Sequence, residues 1–360
     1  MPSEIKNEIV YSQMKAADRR GVLSFLRGSY PETPRQSDSQ FWDWHFIDQP
    51  IDQADEIPVF LAKSGDRIAG QLAAIRVGLS VAGRSLRSMW ILDLLVDPDF
   101  RRRGIMKQLV GIAERHTPYL LGVNTNKQHA PALLMGLGWV IVTKIPRYHK
   151  ILFPGNAIKE IGRFMPLRWL MNLAFAPFRR SSKQSGADIR QLNEFDETLD
   201  EFWNEARGQW PCSIERSAKT LNWQFCRQPY KKFDILAYYE TGKLLGYAVL
   251  FFRKPDPSGA IDKAAISDIC YHPSNPEHIV DSLIKASLEL AIERRAGGLV
   301  ADVLDALLEE RIKRFGFWNV KSDLQLMAKA PEHQDLLYDG SQWFLTRGDS
   351  DISIFEHPNI

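Results

Sequence analysis

A pattern of aromatic residues occurs twice in this chain, and it sharply limits how the chain can fold. Trp44-x-Phe46-x-x-Gln49-Pro50 returns as Trp223-x-Phe225-x-x-Gln228-Pro229, a constant 179 residues later. The residues that follow return as well. "PVFLAKSGDRIAGQLAAIRV" (58–77) reads as strand, glycine turn, strand, and so does "FDILAYYETGKLLGYAVLFF" (233–252). A repeat at this separation specifies two related domain-sized units and not a short-period solenoid. A length of 360 residues accommodates two such units.

The periodicity predicts the same element order in each half. In the first, a helix runs over 12–28 and a second helical piece carries Trp42 and Trp44. A hairpin over 58–80, a strand over 88–96, a helix over 104–116 and a strand over 119–125 follow. A short helix over 129–137 then precedes a closing strand pair. In the second half, helices at 194–207 and 216–227 precede a hairpin at 233–253 and a strand at 264–271. Helix 277–295, strand 298–303, helix 304–315 and strands near 317–329 and 342–348 complete it. The fold class is α+β: two tandem units, each a mixed, mostly antiparallel sheet flanked by helices. Their expected boundaries are 1–152 and 187–360.

Residues 153–186 join the units. They are apolar and basic, with Leu167, Trp169, Leu170 and Leu173 among Arg163, Arg168, Arg179 and Arg180. Pro166 and Pro177 limit helix length here. The expected structure is a connecting helix packed across both units; an interfacial membrane helix is the alternative.

Charge is unevenly shared. Residues 1–180 carry 25 Lys and Arg against 16 Asp and Glu, whereas 181–360 carry 21 against 28. A basic first half suits an anionic ligand. Cys212, Cys226 and Cys270 are widely spaced, which argues against a zinc site or a disulfide framework. The N-terminus has no hydrophobic signal region, and no apolar run approaches the ~18 residues that span a bilayer. A cytoplasmic protein without a transmembrane segment, a metal or a nucleic-acid partner is the expectation.

The basic residues concentrate in "VDPDFRRRGIMKQLV" (96–110), where a strand ends, turns at Asp97-Pro98 and enters a helix. A helix start presents unpartnered N–H groups and the positive end of its dipole. Gly104 lets phosphate oxygens approach the backbone, and Arg101, Arg102 and Arg103 supply cations. Together they can cradle a pyrophosphate.

This segment resembles the coenzyme A-binding signature of the Gcn5-related N-acetyltransferase (GNAT) superfamily, V-x-P-x-[FY]-[RQ]-x-x-G-x-[GA]. It departs at the last position, where Met106 replaces a small residue. "LLMGLGW" (133–139) is similar to a later family segment, with Leu134 where many members carry a tyrosine that acts as general acid. The resemblance implies a cleft between splayed strands 88–96 and 119–125. Pantetheine of acetyl-CoA or another acyl-CoA would pair with Leu94, Leu95 and Val96. The pyrophosphate would rest on residues 101 to 106, including Ile105 and Met106. Asn124 and Asn126 would contact the donor or hold the splay, or serve only the turn.

Acyl transfer to an amine needs a base, and Asp93 interrupts the apolar strand "WILDLLV". Its alternative role is a structural ion pair. Tyr148 and His149 are candidates for the general acid, alongside water or a group from the second unit. The second unit has Asp268 near the place of Asp93, but no arginine run and no glycine in the following loop, so it would bind no CoA. It would complete the acceptor cleft or a homodimer interface. The chain's ending is similar to tandem acetyltransferases found with bacterial surface-polysaccharide genes, which implies a small polar amine, an amino sugar, as acceptor. An aminoacyl-tRNA-dependent transferase and a CoA-binding scaffold are competing readings. The intact "RRRGIM" argues against the former.

Overall fold

The computed structural model describes residues 8–31, 34–50, 56–125, 130–157, 165–179, 187–256 and 259–350. Its first half contains β1 (Ile9–Gln13), α1 (Arg19–Ser29), α2 (Ser39–Phe46), β2 (Val59–Ser64), β3 (Arg67–Val81) and β4 (Arg84–Val96). Then come α3 (Ile105–His116), β5 (Leu120–Thr125), α4 (Ala130–Met135), β6 (Val140–Lys144) and β7 (Arg147–Ile151). The connector holds α5 (Pro154–Ala157) and α6 (Met165–Ala174). The second half contains β8 (Asp188–Leu192), α7 (Glu197–Ala206), β9 (Cys212–Ile214), α8 (Ala218–Leu221), β10 (Phe233–Glu240), β11 (Lys243–Phe252) and β12 (Ala264–Tyr271). It closes with α9 (Pro276–Glu293), β13 (Gly298–Leu304), α10 (Ala306–Arg314), β14 (Trp318–Val320), β15 (Leu324–Lys329), α11 (Gln334–Leu337) and β16 (Trp343–Thr346).

Two differences from the expected elements have local causes. The helix expected over 12–28 begins only at Arg19, because residues 9–13 form a strand that pairs antiparallel with β2 from Ile9↔Ser64 to Gln13↔Phe60. The hairpin of β3 and β4 is longer than its apolar pattern suggests. It turns at Ala82 and Gly83, both with positive φ (48° and 77°), as a tight hairpin turn requires. Its polar tip is held by the other half: Leu79, Ser80 and Val81 pair with β9.

The two sheets have the same plan. The first runs β1-β2-β3-β4-β5-β15-β6 and the second β8-β10-β11-β12-β13-β7-β14. In each, the fourth and fifth strands are parallel while the neighbouring pairs are antiparallel. The sixth strand is exchanged. β15, from the second half, fills the place between β5 and β6, and β7, from the first half, fills the place between β13 and β14. The units are therefore not the closed segments 1–152 and 187–360, since each borrows a strand from across the connector.

α3 covers one face of the first sheet, packing Ile105, Leu109 and Ala113 on Leu72, Ala74 and Met327. α1 and α2 cover the other, where Trp42 and Trp90 meet Leu326 and Leu345 of the second half. The repeated tryptophans meet at the centre. Trp44 Nε1 donates to the carbonyl of Trp223 at 2.9 Å, and Trp223 Nε1 donates to that of Trp44 at 2.8 Å. Their rings stack at 5.0 Å. Reciprocal contacts of this kind mark a local two-fold relation, here between units of one chain. Trp44→Ala should destabilise the protein by about 3–5 kcal/mol through the cavity and the lost hydrogen bond. Urea unfolding followed by circular dichroism checks this.

Candidate active site

β4 organises the site. It pairs with β5 only at Met89↔Leu120 and Trp90↔Leu121, and beyond those residues no pairing between the two strands continues. On its other side β4 stays paired with β3 up to Gly70↔Val96, so the backbone edge of Leu94, Leu95 and Val96 faces the gap. A β-bulge interrupts the β3–β4 ladder, with Leu92 and Asp93 both opposite Ala73. Bulges re-aim side chains. Here the bulge presents Asp93 toward the α1 side of the sheet, where the Tyr30 hydroxyl donates to Asp93 Oδ1 at 2.8 Å. Burial pushes the Asp93 carboxyl above its ordinary range, and the Tyr30 hydrogen bond opposes that rise. Tyr30, at the end of α1, was not foreseen. Nothing in the sequence ties residue 30 to residue 93.

The loop after β4 is built to a shape. Asp97 accepts from the backbone N–H of Asp99 at 3.0 Å, and Arg67 pairs with both carboxylates, at 2.8 Å to Asp97 and 2.6 Å to Asp99. Arg67 and Arg103 each lie 5.1 Å from the Phe100 ring centre. Arg101 to Gly104 are exposed. Arg102 and Gly104 have positive φ (62° and 74°), and Gly104 caps α3 without a side-chain hydrogen bond. The first N–H groups of α3 are thus left to a ligand or to water. A Cβ at Gly104 would meet no atom within 4 Å, so the space above the helix start is open. Gly70 has the opposite character: a Cβ there would lie 2.9 Å from the Leu95 carbonyl and 3.0 Å from Ile105, so its bareness lets α3 seat on the sheet. Asp93 and Leu94–Val96 thus lie on the strand that borders the gap, Arg101–Gly104 form the exposed loop at its end, and Ile105 is buried beneath α3. Asn124 lies on β5 opposite Gln325. Its side chain, and all of Asn126, fall outside the described residues.

Tyr148 is elsewhere. It lies on the exchanged strand β7, 1% exposed in the core of the second unit, and its hydroxyl donates to Glu309 on α10. Strand exchange carries it away from the β4–β5 gap, so it does not serve as the acid there. His149 is on the same strand, paired with Val300 and Trp318. Leu134, in the family's tyrosine position, is buried against the α3 face.

In the second unit the matching position is filled by the chain itself. β12 and β13 pair only from Ala264↔Leu299 to Ile266↔Ala301. β16 then joins β13 at Val303↔Thr346 and Leu304↔Leu345. Thr346 Oγ1 donates to Asp268 Oδ1 at 2.7 Å, and Arg216, 1% exposed, spans Asp268 and Asp349 at 3.3 and 2.7 Å. Burial pushes Asp349 up to about 6. A Cβ on Gly348 would lie 2.9 Å from the Ser267 carbonyl. The chain's own residues 343–350 therefore occupy this position, and Asp268 is neutralised by an ion pair.

A sequence model described as an acetyltransferase (GNAT) domain matches residues 10–117, which span β1 to the end of α3. This region is a GNAT acetyltransferase domain. No curated protein matches the chain in sequence. In three dimensions the chain is similar to a probable N-acyltransferase of Enterococcus faecalis V583, at 11% identity and TM-score 0.62, covering 92% of this chain and 74% of that one. It is similar to a GCN5-related N-acetyltransferase of Anabaena variabilis, at 13% identity and TM-score 0.60, covering 89% and 72%. It is also similar to Saccharomyces cerevisiae N-myristoyltransferase with bound myristoyl-CoA, at 11% identity and TM-score 0.57, covering 91% and 84%. At these identities the likeness is one of fold, and it extends over both units. The matched acetyltransferase domain, set in this fold, supports an acyl-CoA-dependent acyltransferase.

Two outcomes follow from the geometry. Gly104→Glu would force a side chain into the left-handed region and place a negative charge at the helix start. Acetyl-CoA affinity measured by calorimetry should fall tenfold or more, about 1.4 kcal/mol. Asp93 binds its proton more tightly folded than unfolded, so it lowers stability as pH rises from about 4 through its folded pKa. Asp93→Asn lacks that slope. Thermal melts from pH 4 to 8 should show the variant gaining on the wild type as pH increases.

Proposed function

We propose that the chain transfers an acyl group from acyl-CoA, acetyl-CoA in the first instance, to the primary amine of a small polar acceptor, with amino sugars as the acceptor class. The observation that carries this reading is the single gap that combines an unpaired β4 edge, the Gly104 cradle and a half-buried carboxylate. The residues suit an acyl-CoA: Leu94 to Val96 offer backbone groups to the pantetheine arm, and residues 101 to 106 offer N–H groups and arginines to the pyrophosphate. When bound, the donor supplies a thioester activated toward amines.

Asp93 is the base in this proposal. An acceptor ammonium must lose its proton before it attacks, and a carboxylate with a raised pKa is a better proton acceptor than an ordinary one. The amine nitrogen then bonds to the acyl carbon as the carbon–sulfur bond breaks. The sulfur of CoA, whose thiol class has an ordinary pKa of about 8.5, leaves as thiolate and takes up, through water, the proton that the new amide nitrogen sheds. This accounts for a site with leucine at position 134. Tyr30, donating to Asp93, favours the charged form of the base and sets the pH at which it works.

Acetyl-CoA consumption with a panel of amines tests the proposal. Turnover should rise with pH through the raised Asp93 pKa. Asp93→Asn should lower kcat/KM by about 100-fold and abolish that rise, with acetyl-CoA binding retained. Tyr30→Phe removes a hydrogen bond to the carboxylate and should move the rise to higher pH. Tight acetyl-CoA binding without turnover on any amine would overturn the proposal in favour of a CoA-binding scaffold.

A further inference from the structure

α6 is amphipathic in the reverse of the usual sense. Its polar side faces the protein. Asn172 is buried and accepts from the Gly155 N–H at 2.9 Å, while its Nδ2 donates to Asn156 Oδ1 at 3.1 Å. Arg168, one turn earlier, donates to the same Asn156 oxygen at 2.9 Å. Asn156 in turn donates to the carbonyl of Arg295 at 2.6 Å, which ties the arrangement to the second unit. The apolar side points outward. Leu167, Trp169, Leu170 and Leu173 are 42%, 64%, 56% and 52% exposed. The expected helix packed across both units is thus corrected: it is anchored through asparagines and shows leucines and tryptophan to its surroundings. An outward apolar cluster of this kind needs a partner.

Charge decides among partners. Residues 153–186 contain six Lys and Arg and one Glu. Past the end of α6, Arg295 is exposed and is in no ion pair among the described residues, while Arg179 lies 3.9 Å from the Phe153 ring centre with its Nε and Nη2 buried. A second copy of the chain would bring like charge against like charge. An anionic bilayer offers hydrocarbon to the leucines, an interface suited to tryptophan, and negative charge to the cations. No helix among the described residues is long and apolar enough to cross a membrane. We propose that α6 docks the protein on an anionic lipid surface, lying in the interface with Trp169, Leu170 and Leu173 inserted.

The test is co-sedimentation of the full-length protein with vesicles of phosphatidylcholine, alone or with one quarter phosphatidylglycerol. Wild type should partition onto the anionic vesicles at least tenfold more strongly than onto the neutral ones, and added salt should weaken the binding. Trp169→Glu with Leu170→Glu should remove at least tenfold of it, with melting temperature and acetyl-CoA affinity unchanged; Leu173→Ser should give a smaller loss. Wild type that stays in the supernatant overturns the proposal. So does a double variant that binds as well as wild type, or one whose fold is lost. A concentration-dependent dimer that the same variant abolishes would assign the face to a second copy, and the lipid reading would fall.

Discussion

The exchange of the sixth strand is the constraint on which the rest of this structure depends. β15 completes the hydrogen-bond ladder of the sheet that holds the candidate site, and β7 completes that of its partner. An unpaired strand edge is both a loss of backbone hydrogen bonds and an aggregation hazard. Each unit removes that edge with a segment of the other. The stacked pair of Trp44 and Trp223 then fixes the relation of the units, with each indole N–H satisfied by the other residue's carbonyl. A buried indole without an acceptor would be costly, so the pair acts as a reciprocal lock.

The two units show how one fold supports opposite outcomes at matching positions. Both have a bulge on the fourth strand next to a carboxylate, and both have a parallel pair that parts after two or three residues. In the first, Asp93 faces only a tyrosine hydroxyl among its described hydrogen bonds, and its proton affinity rises. In the second, Asp268 is enclosed by Arg216, Tyr247 and Thr346, and the backbone of 343–350 takes the gap. The difference lies in the second unit's partners, not in its sheet.

Much of this was legible in the sequence. The 179-residue repeat, the hairpins with their Gly turns, and the Val96–Met106 junction are local patterns, and local patterns survive without tertiary information. The carboxylate at Asp93 stood out because it broke an apolar strand. What could not be read was which strand lies beside which. β7 follows β6 closely enough to suggest a hairpin, yet Tyr148 ends in the other unit's core. That outcome depends on contacts between residues separated by some 150 positions along the chain, such as Arg147 with Asp302. The Tyr30–Asp93 hydrogen bond was hidden for the same reason. The connector was misjudged because its apolar residues read as core, and nothing in their spacing revealed that two asparagines would turn the helix around.

The place of β15 has a consequence for biosynthesis. Chains emerge from the ribosome N-terminus first, and domains usually begin to fold as they appear. This one cannot close its first sheet in that order. β5 and β6 must wait for residues 324–329, so the unit bearing the Gly104 loop remains open until those residues have been made. The second unit already has β7 when its own strands emerge. Residues 343–350, which fill the gap of the second unit, emerge later still, so the second unit is not complete before the first sheet is able to close.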